Sequence, residues 1–395
     1  METTAKDWWL YQGACDRADR LARLKRTPPP PWRAFDGTPD PTYRPPGCSG
    51  PAWQRTLDRG AGYVPDEAEK DIVNTALYLR RPLLITGKPG VGKSTLAHSV
   101  AADLGLGPVL HWPITSRTVL RDGLYLYDAI GRLQEANLRH LLGAPAPAAG
   151  ATADHGAGGR ARAGDVAAPA PAPAGNGTAP ADGDLPSSAA SAASAASAAS
   201  SVSRFLRLGP LGTALLPQDQ PRVLLVDEID KSDIDLPGDL LTLFEDGGFE
   251  IPELARLSVE EPSVRIATDD GPDRLVRIEG GRVQCRHFPV VILTSNGERE
   301  FPPAFLRRCV RLHLEPPGPQ KLARIVRRRL GVDVEEHSEY QDLLRAFIDR
   351  RADGDLATDQ LLNAIQLRLS RAWTGEEDRD RFLDTVLQHL TGPPA

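Results

Sequence analysis

No apolar run in the 395 residues approaches the roughly 18 that a membrane span requires. The amino terminus, Met1-Glu2-Thr3-Thr4-Ala5-Lys6-Asp7, has neither the basic nor the apolar stretch of a signal peptide. These absences predict a soluble, cytoplasmic protein. Cysteine is scarce as well. Cys15, Cys48, Cys285 and Cys309 are scattered, with no CxxC pair and no histidine at zinc spacing, which argues against a disulfide framework or a metal knuckle and predicts reduced thiols. Positive charge is not in excess either: 47 Lys and Arg against 53 Asp and Glu leave a net charge of -6. The chain is therefore not an overall basic nucleic-acid binder, and such a role has to come from a local patch.

The length accommodates about two or three domains. Residues 1 to 60 begin with Trp8-Trp9-Leu10-Tyr11 and then become proline-dense at Pro28 to Pro31 and Pro45-Pro46, which suits an extended arm. Its aromatics are expected to anchor it on its own domain, with a partner as the alternative. From 61 to 315, short apolar runs alternate with helical stripes. Leu83 to Thr86, Val109 to Trp112, Val223 to Val226 and Val290 to Thr294 are apolar on both faces, as in a parallel sheet covered on both sides. Leu96, Val100, Ala101 and Leu104 follow the first run with helical spacing, giving an α/β doubly wound domain. Between 143 and 203 the composition falls to Ala, Pro, Gly and Ser, too little apolar surface to offset ordering entropy, and a disordered insertion is expected. From 316 to 395 helical stripes recur, such as Leu322-Ile325-Val326 and Leu343-Leu344-Phe347, predicting a small all-α domain.

Chemistry concentrates at strand ends. Gly87-Lys88-Pro89-Gly90-Val91-Gly92-Lys93-Ser94 fits G-x-x-x-x-G-K-[ST] and lies between a buried strand and a helix. Its glycines let backbone N–H groups converge on phosphate oxygens at a helix N-terminus. Lys93 is placed to reach the β- and γ-phosphates and the Ser94 hydroxyl to ligate Mg2+, with Thr95 next in line. The run Val223 to Val226 ends in Asp227-Glu228: one acid can hold the metal's hydration shell while the other orients and deprotonates water. Asn296, at the end of the run from Val290, is a candidate for the γ-phosphate or the water, though alone it reads as a turn asparagine. The pair Arg307-Arg308 follows and suits a finger acting on a neighbouring subunit's nucleotide.

With these motifs in this order, residues 61 to 395 resemble the AAA+ ATPase superfamily and, more closely, the MoxR-type AAA ATPases. Ser116-Arg117-Thr118 through Tyr125, Gly209-Pro210-Leu211, Phe244 to Gly247 with Ile251 to Leu254, and Ala304 to Cys309 add to the likeness. The resemblance implies a five-stranded parallel P-loop sheet flanked by helices and followed by a helical lid. It implies Walker A at Gly87 to Ser94, Walker B at Asp227 and Glu228, sensor 1 at Asn296, and an arginine finger at Arg308 or, second, Arg307. It also implies Tyr63 and Val64 near the adenine, ATP and Mg2+ as ligands, a homo-oligomeric ring, usually hexameric, and a protein partner such as a von Willebrand factor A domain protein. The low-complexity tract falls in the helix-two insert of that clade. One departure stands out: the stretch Ala357 to Leu362 carries Asp359 where many relatives have a sensor 2 arginine, which leaves sensor 2 unassigned.

The leading expectation is thus an ATPase that remodels or activates a protein. A nucleic-acid motor is the rival, since the apparent hairpin between Ser263 and Phe288 carries Arg265, Arg274, Arg277, Arg282 and Arg286. Asp269, Asp270, Asp273 and Glu279 in the same stretch favour a solvated hairpin over a phosphate track. A slow nucleotide switch in signalling or defence is the third reading.

Overall fold

The computed structural model describes residues 6–13, 18–141, 202–257, 263–353, 356–370 and 379–387. The expected apolar runs become strands of one sheet: β1 (Leu83–Thr86), β2 (Leu110–Pro113), β5 (Val223–Asp227) and β10 (Val290–Ser295), joined by β11 (Val310–His313). Their order is β11-β1-β10-β5-β2, and every neighbouring pair is parallel. Alternate side chains of a strand serve opposite faces. Leu83, Ile85, Val223, Leu225 and Ile292 pack with Leu77 of α3 (Glu67–Leu79) and with Leu96 and Val100 of α4 (Lys93–Leu104). Leu84, Leu224, Val226, Val291 and Leu293 pack on the other side with Leu211, Leu240 and Phe244. Along the three central strands both faces are dry, so there polar groups emerge only where strands end.

β2 corrects one expectation. It starts at Leu110 and alternates, with Leu110 and Trp112 buried and His111 and Pro113 exposed. It is the outer strand of the sheet, where a proline is tolerated because one edge needs no ladder hydrogen bonds.

A second sheet was foreseen only in its central hairpin. It comprises β3 (Tyr125–Tyr127), β4 (Leu206–Leu208), β6 (Gly248–Glu250), β7 (Ser263–Thr268), β8 (Gly271–Glu279) and β9 (Arg282–Gln284), in the order β3-β4-β7-β8-β9-β6. Four of these strands are three residues long, too short to leave a periodic signature. Four of the five hairpin arginines are spent within the chain. Arg265 donates to Thr42 Oγ1 at 3.2 Å and Arg274 to the Arg44 carbonyl at 2.8 Å, while Arg277 pairs with Glu279 and Arg286 with Asp219, each at 3.1 Å.

The two sheets are tied at the start of β5. Both Arg222 guanidinium nitrogens reach the Asp270 carboxylate at 2.9 Å, one of them also reaches the Pro108 carbonyl at 3.1 Å, and Tyr43 donates its hydroxyl to Asp270 at 2.6 Å. The Arg222 and Asp270 side chains are only 1% and 4% exposed.

The first 60 residues are more than an extended arm. They contain α1 (Ala18–Arg26) and α2 (Gly50–Gly60), and α2 lies against α4. Gly60 makes that approach possible: a Cβ there would stand 2.7 Å from the His98 carbonyl oxygen. Trp9, Leu10 and Tyr11 are buried on the chain's own domain. Asn74 of α3 accepts both the Leu10 and Tyr11 amides, and Asp103 of α4 accepts those of Gln12 and Gly13.

Past β11 the described residues form the helices Pro319–Leu330, Ser338–Asp353, Thr358–Leu369 and Arg379–Val386. They share a core of their own around Leu322, Val326, Phe347, Leu361, Ile365 and Phe382. The tract from 143 to 203 lies outside the described residues except for its last two, as do Cys15 and residues 258–262. Cys48, Cys285 and Cys309 are free thiols. No helix among the described residues is long and apolar enough to cross a membrane.

Removing one partner of the buried pair between the sheets strands the other charge. Asp270→Ala is expected to cost about 3–5 kcal/mol in urea unfolding. A loss below about 1 kcal/mol, the range of surface pairs, would show that the pair does not join the sheets.

Candidate functional site

The turn from β1 into α4 has positive φ at Gly87, Gly90 and Gly92, and at the first two a close approach excludes any Cβ. Gly87 sits at φ 147°, where a Cβ would lie 2.5 Å from the Leu314 carbonyl oxygen; Gly90 sits at φ 75°, where a Cβ would collide with Ala357. Both approaches bring other segments onto the loop: the end of β11 in one case, the start of the helix Thr358–Leu369 in the other. The amide of Thr358 points to the Gly90 carbonyl at 3.4 Å. With this turn in place, the loop amides open into a cavity of about 610 Å3 bounded by the strand ends on one side and the C-terminal helices on the other.

Of the sequence-predicted residues, Pro89 through Thr95, Asp227, Glu228, Asn296, Tyr63 and Val64 line this cavity. Gly87 and Lys88 stand behind it, and their carbonyls accept the Lys93 ammonium at 2.7 and 2.9 Å. Burial draws the Lys93 pKa down, against the pull of Asp230, Asp227 and Glu228. Arg307 and Arg308 are not brought to the cavity. Arg308 forms an ion pair with Glu245 and bonds the Ala304 carbonyl at 3.3 Å, while Arg307 is exposed and offers its carbonyl to Arg81.

Asp227 is the most heavily coordinated acid of the site. Its Oδ1 accepts from Ser94 Oγ at 2.8 Å and from Thr294 Oγ1 at 2.6 Å, and its Oδ2 lies 3.2 Å from His111 Nε2. Burial alone would raise its pKa, but the hydrogen bonds from His111, Thr294 and Ser94 outweigh burial and hold it down at about 2. Thr294 also accepts the Glu228 amide at 2.9 Å, so one hydroxyl fixes the ends of β5 and β10 to each other. Glu228 itself adopts φ 60°, left-handed backbone that non-glycine residues seldom take, and its carboxylate pairs with Lys231 at 2.8 Å. Asp230 Oδ2 accepts the backbone amides of Asn296 and Glu298 at 2.8 and 3.1 Å, and Asn296 turns its amide toward Glu298 at 3.3 Å.

At the other end of the cavity Tyr63 is buried and donates its hydroxyl to Glu69 at 3.0 Å. Lys321 bonds Asp66 and Glu69, with its ammonium 5.9 Å from the Tyr63 ring centroid. Asp359 also lines the cavity, where the resemblance leads one to look for an arginine.

Sequence reasoning missed His111, Thr294, Lys231 and Lys321. His111 carried a signal, a lone ring nitrogen donor in an apolar strand; Thr294 and Lys321 carried none, because their roles depend on neighbours remote in the chain. The set gives a loop of amides and one ammonium for an anion, a hydroxyl–carboxylate pair of hard oxygens suited to Mg2+, and a second carboxylate beside them. Compared with known proteins, the chain matches no family model and no curated sequence.

His98, one turn beyond Ser94 on α4, is buried with Nδ1 unpartnered. Burial first, then Arg59 and His111, brings its pKa from 6.5 down to about 4. Neutral when folded, it takes up a proton on unfolding between those values, so its contribution to stability falls as pH drops through that window. Urea unfolding of the wild type is expected to weaken from pH 6.5 toward 4 more steeply than that of His98→Gln. Parallel profiles would remove His98 as the cause.

Proposed function

We propose that the chain is an ATP-hydrolysing AAA+ ATPase of MoxR type that works as a ring, usually hexameric, on a protein partner. The observation that carries this reading is the 2.8 Å bond between Ser94 Oγ and Asp227 Oδ1 at the mouth of the glycine-rich loop. It supports the reading because two hard oxygens of the kind that suit Mg2+ lie together beside the amides that suit phosphate. Bound there, Mg2+ supplies neutralisation of charge on the terminal phosphates.

The chain's own groups then have distinct tasks. Lys93 leaves the carbonyls of Gly87 and Lys88 for phosphate oxygens, and the amides from Gly90 to Ser94 hold the phosphate chain. Glu228 takes a proton from the attacking water, whose oxygen bonds to the γ-phosphorus as the bridging oxygen to the β-phosphate departs; Asn296 orients that water. Tyr63 and Val64 form the adenine end. The C-terminal helices act as the lid, since Thr358, Asp359 and Leu362 close the cavity over the loop.

Arg308, and secondarily Arg307, serves the neighbouring subunit as the finger. Their position outside the cavity of their own chain supports action in trans. The partner is a protein, a von Willebrand factor A domain protein being the family's precedent. The contacts of Arg265, Arg274, Arg277 and Arg286 within the chain weigh against a nucleic-acid track.

Lys93→Ala is expected to abolish nucleotide binding in a fluorescent-nucleotide titration. Glu228→Gln should bind ATP yet release phosphate at least about 100-fold more slowly; full turnover by this variant would sink the assignment of the base. Mixed with Glu228→Gln subunits, Arg308→Ala is expected to regain phosphate release, because intact half-sites then meet at shared interfaces. Failure of that rescue would count against the ring.

A further inference from the structure

The 3-10 turn Ile229–Lys231 follows Glu228 directly. Its three-residue repeat stacks positions 228 and 231 on one side, while Ile229 and Asp230 are buried on the other. Lys231 Nζ consequently lies 2.8 Å from Glu228 Oε2, with the two side chains 41% and 44% exposed. Both line the cavity that holds the glycine-rich loop.

Among the described residues four cationic side chains line that cavity: Lys93, Lys231, Lys321 and Arg329. Lys321 is committed to Asp66 and Glu69 beside Tyr63. Arg329 donates to the carbonyls of Asp58 and Arg59, at the C-terminal end of α2. Only Lys93 and Lys231 remain at the Asp227 end. Glu228 meanwhile has one of its two carboxylate oxygens occupied by an ammonium.

We propose that Lys231 reads the terminal phosphate. Its ammonium leaves Glu228 for a γ-phosphate oxygen when a nucleoside triphosphate binds, and the exchange frees the Glu228 carboxylate for water. A diphosphate offers no such oxygen, so Lys231 stays on Glu228. The proposal rests on the ATPase reading and adds to it a residue that distinguishes triphosphate from diphosphate. The hydrogen bond to Glu228, with Glu298 and Asp230 nearby, raises the Lys231 pKa and keeps the ammonium charged.

The test is calorimetric titration of AMP-PNP and of ADP, each with Mg2+, into the wild type, Lys231→Met and Lys231→Arg. Lys231→Met is expected to weaken AMP-PNP binding about tenfold while ADP binding changes less than about twofold, the loss of one charge-assisted hydrogen bond. Lys231→Arg should recover most of the AMP-PNP affinity. Equal losses for the two nucleotides, or no loss, would overturn the proposal. So would faster ATP turnover by Lys231→Met at an unchanged ratio of affinities, which would make Lys231 a restraint on Glu228 and nothing more. A wild type that binds neither nucleotide would overturn the ATPase reading itself, and this proposal with it.

Discussion

Burial of both faces of the parallel sheet is the constraint on which the other features depend. Leu83, Ile85 and Leu225 on one side and Leu84, Leu224 and Val226 on the other leave no room for a polar side chain along the central strands. Parallel strands also finish at the same edge, so the residues just past β1, β5 and β10 are brought together whatever their separation in the chain. Ser94 and Asp227 are 133 residues apart in sequence and 2.8 Å apart in space for this reason.

Convergence alone would crowd like charges. Asp227, Glu228 and Asp230 stand within one small region, and each is held by a different device. Hydroxyls and an imidazole nitrogen surround Asp227, an ammonium faces Glu228, and backbone amides satisfy one oxygen of Asp230. Lys93, Asp227 and Glu228 thus have intramolecular partners before any ligand arrives. A ligand has to compete for Lys93 and Glu228, and its binding energy is the excess over those internal bonds.

Much of this was legible in the sequence because local chemistry dictated it. The turn glycines, the apolar strands and the acids after Val226 carry their signals within a few residues. The helices past residue 316 were equally readable from their stripes. Legibility failed where contacts between distant segments decide. The three-residue strands of the second sheet are strands only because partners lie beside them, and α2 is held by a glycine that lets α4 approach. His111 was counted within a run read as apolar on both faces; its purpose appears only when β2 is seen at the edge beside β5. Arg308 was read as a finger for the next subunit, and a single chain shows it resting on Glu245.

The docking of the first residues has a consequence for the order in which the chain is made. Trp9 and Leu10 dock on α3, whose Asp71 and Asn74 hold them, and Tyr11 bonds Ser99 of α4. Gly13 adds a bond from Arg328 in the C-terminal helices. During synthesis these aromatics are made before their seat, which is complete only once α4 has followed, and the last contact waits for residue 328. A sticky segment therefore stays uncovered until α4 has been made, a window in which aggregation or chaperone capture would concentrate at Trp9, Leu10 and Tyr11.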